Sequence, residues 1–306
     1  MTLSLFTAVA GKVGAEEIVQ VLRQLPSAPK VLPRLLEILR DDNASTDDVV
    51  DLIRVDSGMA TRVLQIANSA YYTPGQSARC PSMEEAVCRV GLIKVYELVA
   101  VAATSQLLMR HLAVYGLTPE SMWERSVSCA IAAEKIASRF QLDQSTSYTA
   151  GLLHAIGLVS IDTWAAGSCP GLRLDPDLPP LEMVAQDRSA LGLTNAAVAG
   201  ALLRQWGFPS SMLEPVRWQY APCDAGYHQR MAAVIYLAKW LREAARLDPA
   251  AVNELGTVRS TFPLPPSPIL DSIHATVESL VELLPEVREA FERASLLLAE
   301  PPPDAE

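Results

Sequence analysis

Apolar residues recur every three or four positions along most of the chain. Four leucines between Leu32 and Leu39 follow this spacing, and Val198, Leu202 and Trp206 form a similar stripe. Such spacing brings apolar side chains onto one face of an α-helix. No segment shows the sustained two-residue alternation, bounded by hairpin turns, that is typical of strands. The pattern therefore predicts an all-α fold, organised as a multi-helix bundle.

Polar residues at the ends of these stripes predict where several helices begin. Ser45 and Asp48 have the spacing of a capping box, and Ser82 and Glu85 repeat it. A Thr-Pro pair opens the segment Thr118–Phe140, and proline is favoured in the first turn of a helix. We therefore expect a long helix over this segment.

Composition and charge narrow the range of functions. The chain has 306 residues, half of them hydrophobic, and a net charge of −10. This negative charge argues against nucleic acid and anionic membranes as partners, because both attract basic surfaces. The longest apolar stretch, Val95–Met109, contains Glu97 and is too short for a membrane span. We expect a cytoplasmic protein in which residues 1–17 form a plain leader.

A proline-rich segment, FPLPPSP at residues 262–268, is the best candidate for a linker. It lies within a C-terminal helical extension, 248–306. We expect two helices after it, at about Ile269–Leu284 and Pro285–Glu300, and a disordered tail over 301–306.

Three stretches in order resemble one protein family. The first is Leu25-Pro26 with LIRVDSGMATRVLQIANSAYY at 52–72, and the second is SMEEAVCRVGL at 82–92. The third is WERSVSCAIAAEKIA at 123–137, followed by AGLLHAIGLVSI at 150–161 and LGLTNAAVAGALLRQWGFP at 191–209. Their order and spacing resemble the HD-related output domain (HDOD) family of bacterial signalling proteins, over about residues 18–247. The resemblance implies an N-terminal helical subdomain, 18–115, that packs on an HD-like subdomain, 116–247.

The family is related to metal-dependent HD phosphohydrolases, which hold a divalent metal with histidines and an adjacent His-Asp pair. A catalytic metal needs several such ligands to activate a bound water. Of the matching positions, only His154 keeps a ligand. The other positions of this former metal pocket hold Arg125, Ala155, Asn195, Gln219 and Tyr220. The resemblance therefore implies no metal, no other cofactor and no catalytic residue.

Two residues of the former pocket have alternative interpretations. His154 is either a remnant metal ligand or, as we prefer, a structural histidine bonded to its helix neighbours. Arg125 could bind an anion in place of the metal. Alternatively, its guanidinium pairs with Glu124, Glu134 or a more distant acid.

A second group lies in the first stretch of the resemblance. Asp56, Asn68 and Ser69, followed by Tyr71 and Tyr72, could form a point of partner recognition. We prefer a structural interpretation, in which Asp56 caps a helix over 57–70 and Asn68 and Ser69 secure its C-terminal end. Adjacent tyrosines at a helix end pack against the core or, where exposed, favour interfaces.

The sequence thus predicts a non-catalytic regulatory or adaptor protein of bacterial signal transduction. It would act by binding a protein partner or a small anionic ligand. One alternative is a divergent metal-dependent phosphohydrolase acting on a nucleotide or cyclic dinucleotide. Another is a sensor that binds a nucleotide or another anion in the former metal pocket.

Overall fold

The computed structural model describes residues 31–39, 45–54, 82–247 and 263–299, with a few further positions between 17 and 68. Within these ranges the chain is helical and forms no strand, apart from an isolated bridge between Leu112 and Leu117. The all-α prediction is confirmed. Residues 1–16, most of the region between 55 and 81, residues 248–262 and the tail 301–306 lie outside the described part.

The described helices are labelled α1 to α14 in chain order. They are α1 Val31–Leu39, α2 Thr46–Arg54, α3 Met83–Val90, α4 Leu92–Leu108, α5 Pro119–Arg139, α6 Gln144–Leu153, α7 Ile156–Ser168, α8 Pro180–Leu191, α9 Asn195–Gln205, α10 Ser210–Arg217, α11 Gln229–Ala245, α12 Ser267–Ser272, α13 Val277–Val281 and α14 Leu284–Ala299.

The predicted helix starts are confirmed by their capping hydrogen bonds. At α2 the backbone N–H of Ser45 donates to Asp48 Oδ2 over 2.7 Å, and the N–H of Asp48 donates to Ser45 Oγ over 3.3 Å. Ser82 accepts from the N–H of Glu85 at α3, and Thr118 caps the long helix α5. These bonds satisfy N–H groups that have no partner within their own helix.

Helix α5 runs through the centre of the bundle and contacts α4, α6, α11 and α14. Its buried face is rich in small residues, including Cys129, Ala130 and Ala133, which let neighbouring helices approach closely. A Cβ atom on Gly151 of α6 would lie 2.8 Å from the Cα atom of Ala130. Glycine is therefore required where α6 crosses α5.

One hydrophobic core joins the described parts of the chain, from Ile18 to Val287. The C-terminal segment belongs to it, since Leu280 and Leu284 are fully buried and α14 packs on α5 and α11. The segment holds three described helices where two were expected, because the chain turns at His274, whose φ is 58°, and a new helix begins at the Thr276 capping box. No described helix has both the length and the apolar character to cross a membrane.

Candidate functional site: a cationic pocket at the former metal positions

A cavity of about 260 Å³ lies where the sequence places the former metal pocket. Arg125 of α5, His154 and Ala155 at the α6–α7 junction, Asn195 of α9 and Tyr220 all line it. Gln219 lies just behind this wall and is fully buried. The fold therefore brings together all six residues that the resemblance assigned to this pocket.

His154 sits where α6 ends and is held by that helix. Its Nδ1 donates to the carbonyl oxygen of Gly151 over 2.6 Å, which leaves Nε2 as the acceptor of the neutral ring. Burial lowers the pKa of His154 well below its usual value, and the positive charges of Lys239 and Arg242 lower it further. The imidazole is therefore neutral and is bonded to the preceding turn of α6.

Asn195 is oriented by hydrogen bonds at both ends of its amide. Its Nδ2 and its backbone N–H each donate to Asp187 Oδ2 over 2.7 Å, and its Oδ1 accepts from the hydroxyl of Tyr220 over 3.2 Å. Burial raises the pKa of Asp187 to about 6, although the bonds from Asn195 oppose this rise. Both Nδ2 and Oδ1 of Asn195 are thus bonded to other side chains of the protein.

Gln219 connects His154 to a lysine that sequence reasoning missed. Its Nε2 donates to the carbonyl oxygens of His154 and Val216, over 2.8 and 3.0 Å. Its Oε1 accepts from Lys239 Nζ over 3.1 Å. The same ammonium group lies 3.6 Å from the centroid of the Tyr220 ring, a cation–π contact. Burial lowers the pKa of Lys239 to about 7, although Cys129 acts in the opposite direction.

Two arginines complete the positive charge of the pocket. Arg125 pairs with Asp177 and donates through Nη1 to the carbonyl oxygen of Pro176 over 3.1 Å. Arg125 therefore pairs with a distant acid, Asp177, rather than with Glu124 or Glu134. Arg242 of α11 pairs with the adjacent Glu243 and also lines the cavity.

This donor set does not fit a catalytic metal. His154 offers one nitrogen, and the charged side chains that act on it are Lys239, Arg242 and Arg125, all of which repel a divalent cation. Within the described ranges, no three His, Cys, Asp or Glu side chains cluster closely enough to hold a metal ion. The described residues at this position therefore provide no set of ligands for a metal ion that would activate a bound water.

The remaining wall is apolar and comes partly from the C-terminal segment. The loop 176–180 forms one side, and Trp240 forms another. Trp240 Nε1 donates to the carbonyl oxygen of Pro263 over 3.0 Å, which brings Pro263 and Leu264 to the rim. The start of the expected linker, 262–268, thus forms part of the pocket, and Phe262 itself lies outside the described residues.

The second predicted group is mostly beyond what the structure describes. Asp56, Ser69, Tyr71 and Tyr72 all fall outside the described residues. Asn68 is half-buried, and its backbone N–H donates to the carbonyl oxygen of Leu64 over 2.9 Å, as in a helical turn. Its role in partner recognition or in securing a helix end stays a prediction.

Comparison with known proteins shows the family. The family model for the HDOD domain matches residues 25–222. No curated protein matches the chain.

Three solved structures share the fold. A protein from Shewanella amazonensis, provisionally named a phosphohydrolase, is 20% identical with a TM-score of 0.66, covering 92% of this chain and 97% of its own. A protein from Marinobacter aquaeolei, provisionally named a signal transduction protein, is 22% identical with a TM-score of 0.67, covering 96% of this chain and 63% of its own. An HDOD domain protein of unknown function from Geobacter sulfurreducens is 20% identical with a TM-score of 0.64, covering 91% of this chain and 98% of its own. The chain, with its helical bundle, belongs to the HDOD domain family.

Proposed function

We propose that this protein is a non-catalytic regulatory module of bacterial signal transduction, which acts by binding a protein partner or a ligand. One observation carries the proposal: cationic and amide side chains occupy the pocket in which related hydrolases hold a metal. Arg125, Lys239 and Arg242 line it together with His154. A pocket built this way favours binding of an anion over hydrolysis by a metal-bound water.

The competing proposal is a divergent metal-dependent phosphohydrolase. The provisional name of the Shewanella protein is consistent with it, but at 20% identity that likeness extends to the fold alone. Loss of an outer-shell partner alone typically costs about 10–100-fold in metal affinity. Replacement of ligands by Arg125, Ala155, Asn195 and Gln219 is a larger change.

Metal content and turnover test the two proposals together. The purified protein is analysed for manganese, iron and zinc, and is assayed with bis-p-nitrophenyl phosphate in the presence and absence of Mn²⁺. We expect metal far below one ion per chain and no turnover above the buffer rate. A His154→Ala variant serves as the control. Near-stoichiometric metal that this variant loses, or turnover that EDTA and this variant abolish, would establish the hydrolase instead.

The binding part of the proposal is tested by affinity capture from the native host. The wild-type chain and a Tyr227→Ala variant are compared with quantitative identification of what co-purifies. Tyr227 is fully exposed and stacks edge-on against His228, so it tests one candidate contact surface without touching the core. A partner retained by the wild type at defined stoichiometry supports the adaptor role. Absence of both a partner and a ligand would contradict it.

A further inference from the structure

The charges around the pocket do not balance. Three cationic side chains line it, those of Arg125, Lys239 and Arg242, but only two carboxylates do, those of Asp177 and Glu243. Asp177 pairs with Arg125, and Glu243 pairs with Arg242 and also with Arg246 outside the lining. Lys239 is the cationic lining residue that makes no ion pair with either carboxylate.

Lys239 is half-buried, and its partners in the described part of the chain are neutral. They are the amide oxygen of Gln219 and the ring of Tyr220. The carboxylate of Asp187 also acts on Lys239, but it is held by Asn195 and makes no ion pair with the ammonium group. A partly desolvated ammonium group without a carboxylate in contact opposes folding, because burial of a charge is costly unless it is paired. An anionic ligand in the cavity would supply the missing counter-ion.

A second donor near the pocket also lacks a partner. The Nε of Arg125 is buried and has no hydrogen-bond acceptor in the described part of the chain, while its other nitrogens are bonded to Asp177 and Pro176. The Arg125 side chain is only 9% exposed. Buried donors without acceptors are rare in proteins and often mark a site that a ligand or water completes.

The opposite side of the cavity suits an apolar group. Trp240, Leu158 and Met183 line it, and Leu264 forms part of the rim while 42% exposed. The volume of about 260 Å³ lies just below the range of ~300–1,000 Å³ typical of small-molecule sites. A ligand the size of one substituted ring fits this space better than a dinucleotide.

We propose that the pocket binds a small organic anion, with a phosphate or carboxylate group at Lys239 and an apolar body against Trp240 and Leu264. This inference rests on the proposed non-catalytic function and names the ligand class for it. Phosphate and carboxylate share the chemistry that Lys239 recognises, and the experiment separates them. Binding of the ligand is also linked to the C-terminal segment, because Pro263 is tied to Trp240 across the rim.

Isothermal titration of the full chain tests this proposal with four probes. Phenyl phosphate and benzoate carry an anion on an aromatic ring, inorganic phosphate carries the anion alone, and benzyl alcohol carries the ring alone. We expect one site per chain for phenyl phosphate or benzoate, with the better of the two identifying the preferred anion. Inorganic phosphate and benzyl alcohol should each bind at least about tenfold more weakly, because each makes half of the contacts.

Substitutions then locate the site. Lys239→Met keeps the length of the side chain and removes its charge, and should weaken phenyl phosphate or benzoate binding by about tenfold or more. Lys239→Arg restores the charge and should recover most of the affinity. Lys135→Met is the matched control, since Lys135 is an α5 lysine that contacts Glu286 and does not line the pocket.

The outcomes separate this inference from the proposed function. Two results would overturn the inference and leave the non-catalytic role standing. One is an equal loss of affinity in Lys239→Met and Lys135→Met, and the other is no binding of either aromatic anion at millimolar concentration. Metal-dependent release of phosphate from phenyl phosphate would overturn the non-catalytic role. Circular dichroism of each variant checks that it is folded.

Discussion

Gly157 of α7 and Asn195 of α9 meet backbone to backbone. A Cβ atom on Gly157 would lie well under 3.0 Å from the carbonyl oxygen of Asn195, closer than real Cβ atoms approach. Since Asn195 lines the pocket, this contact fixes one wall of the site. Glycine is required here for close approach of two helices.

Gly157→Ala should therefore destabilise the protein and move the pocket wall. Overpacking of this kind typically costs about 1–3 kcal/mol in unfolding free energy. Gly167→Ala is the matched control in the same helix, because no neighbouring atom lies within 4 Å of the place that its Cβ atom would take. That control should instead stabilise α7 slightly, by roughly 0.5–1 kcal/mol. Urea unfolding measures both changes, and equal effects of the two substitutions would refute the packing argument.

Lys239→Met should stabilise the ligand-free protein. Because burial lowers the pKa of Lys239 to about 7, the unfolded chain binds more protons than the folded chain between pH 7 and the usual lysine range. The wild-type free energy of unfolding should therefore rise with pH above 7, relative to that of the variant. At pH 7 the variant should be the more stable protein, by roughly 1–3 kcal/mol.

The measurement is urea unfolding of both proteins at several values between pH 6.5 and 9.5. A residue whose removal increases stability but abolishes ligand binding is retained for function. If Lys239→Met were destabilised at every pH, the ammonium group would have a structural role that we have not identified.

Glu97 should change the free energy of unfolding with pH in the direction opposite to that of Lys239. It is buried beside Glu134, and both carboxylates accept from Lys94, whose Nζ lies 2.8 Å from Glu97 Oε2 and 3.0 Å from Glu134 Oε1. Burial, and then the neighbouring carboxylate, raise the pKa of Glu97 to about 7. Between about pH 4.5 and 7 the folded chain binds more protons than the unfolded chain, so the contribution of Glu97 to stability falls as pH rises.

Glu97→Gln should remove this dependence. The difference in unfolding free energy, wild type minus variant, should fall by roughly 1–3 kcal/mol between pH 4.5 and 8. Glu286→Gln is the control, because Glu286 is largely exposed and its pair with Lys135 is long, at 3.9 Å. The free energy of unfolding of Glu286→Gln should stay within about 0.5 kcal/mol of the wild-type value at each pH. If the free energies of unfolding of the wild type and Glu97→Gln changed with pH in parallel, this would argue against the raised pKa of Glu97.

The C-terminal helices should unfold together with the rest of the bundle. Leu280 of α13 is fully buried, and Leu280→Ala should cost about 2–5 kcal/mol. Leu181→Ala is the control, since Leu181 is 82% exposed, and its effect should stay within roughly 0.5 kcal/mol. Thermal unfolding should show one transition for all three proteins. A separate transition for the C-terminal segment would instead indicate that this segment folds independently of the bundle.

Local signals made much of the fold predictable. Four capping residues each lie three residues before the N–H group that they cap, so a short stretch of sequence predicts their role. They are Ser45, Ser82, Thr118 and Thr194. The six positions that the resemblance assigns to a former metal pocket come from the order of its motifs and not from local signals. Their convergence around one cavity follows from the fold.

The positive charge of the pocket was harder to predict, because its members are far apart in the chain. Arg125 lies over 110 residues before Lys239 and 52 residues before its partner Asp177. One signal was available: Ala232, Ile235, Lys239 and Arg242 share one face of α11, and a lysine on a buried face needs an explanation. Asp187 gave no such signal, since only the tertiary contact with Asn195 accounts for its burial.

The region that defines the family ends at residue 222, before the helix that carries Lys239, Trp240 and Arg242. Leu264, at the rim, comes later still. The matched region therefore supplies one part of the cavity wall, and the following helix and segment supply the other. Substitutions confined to these downstream positions should reshape the cavity of this chain while leaving the matched region unchanged.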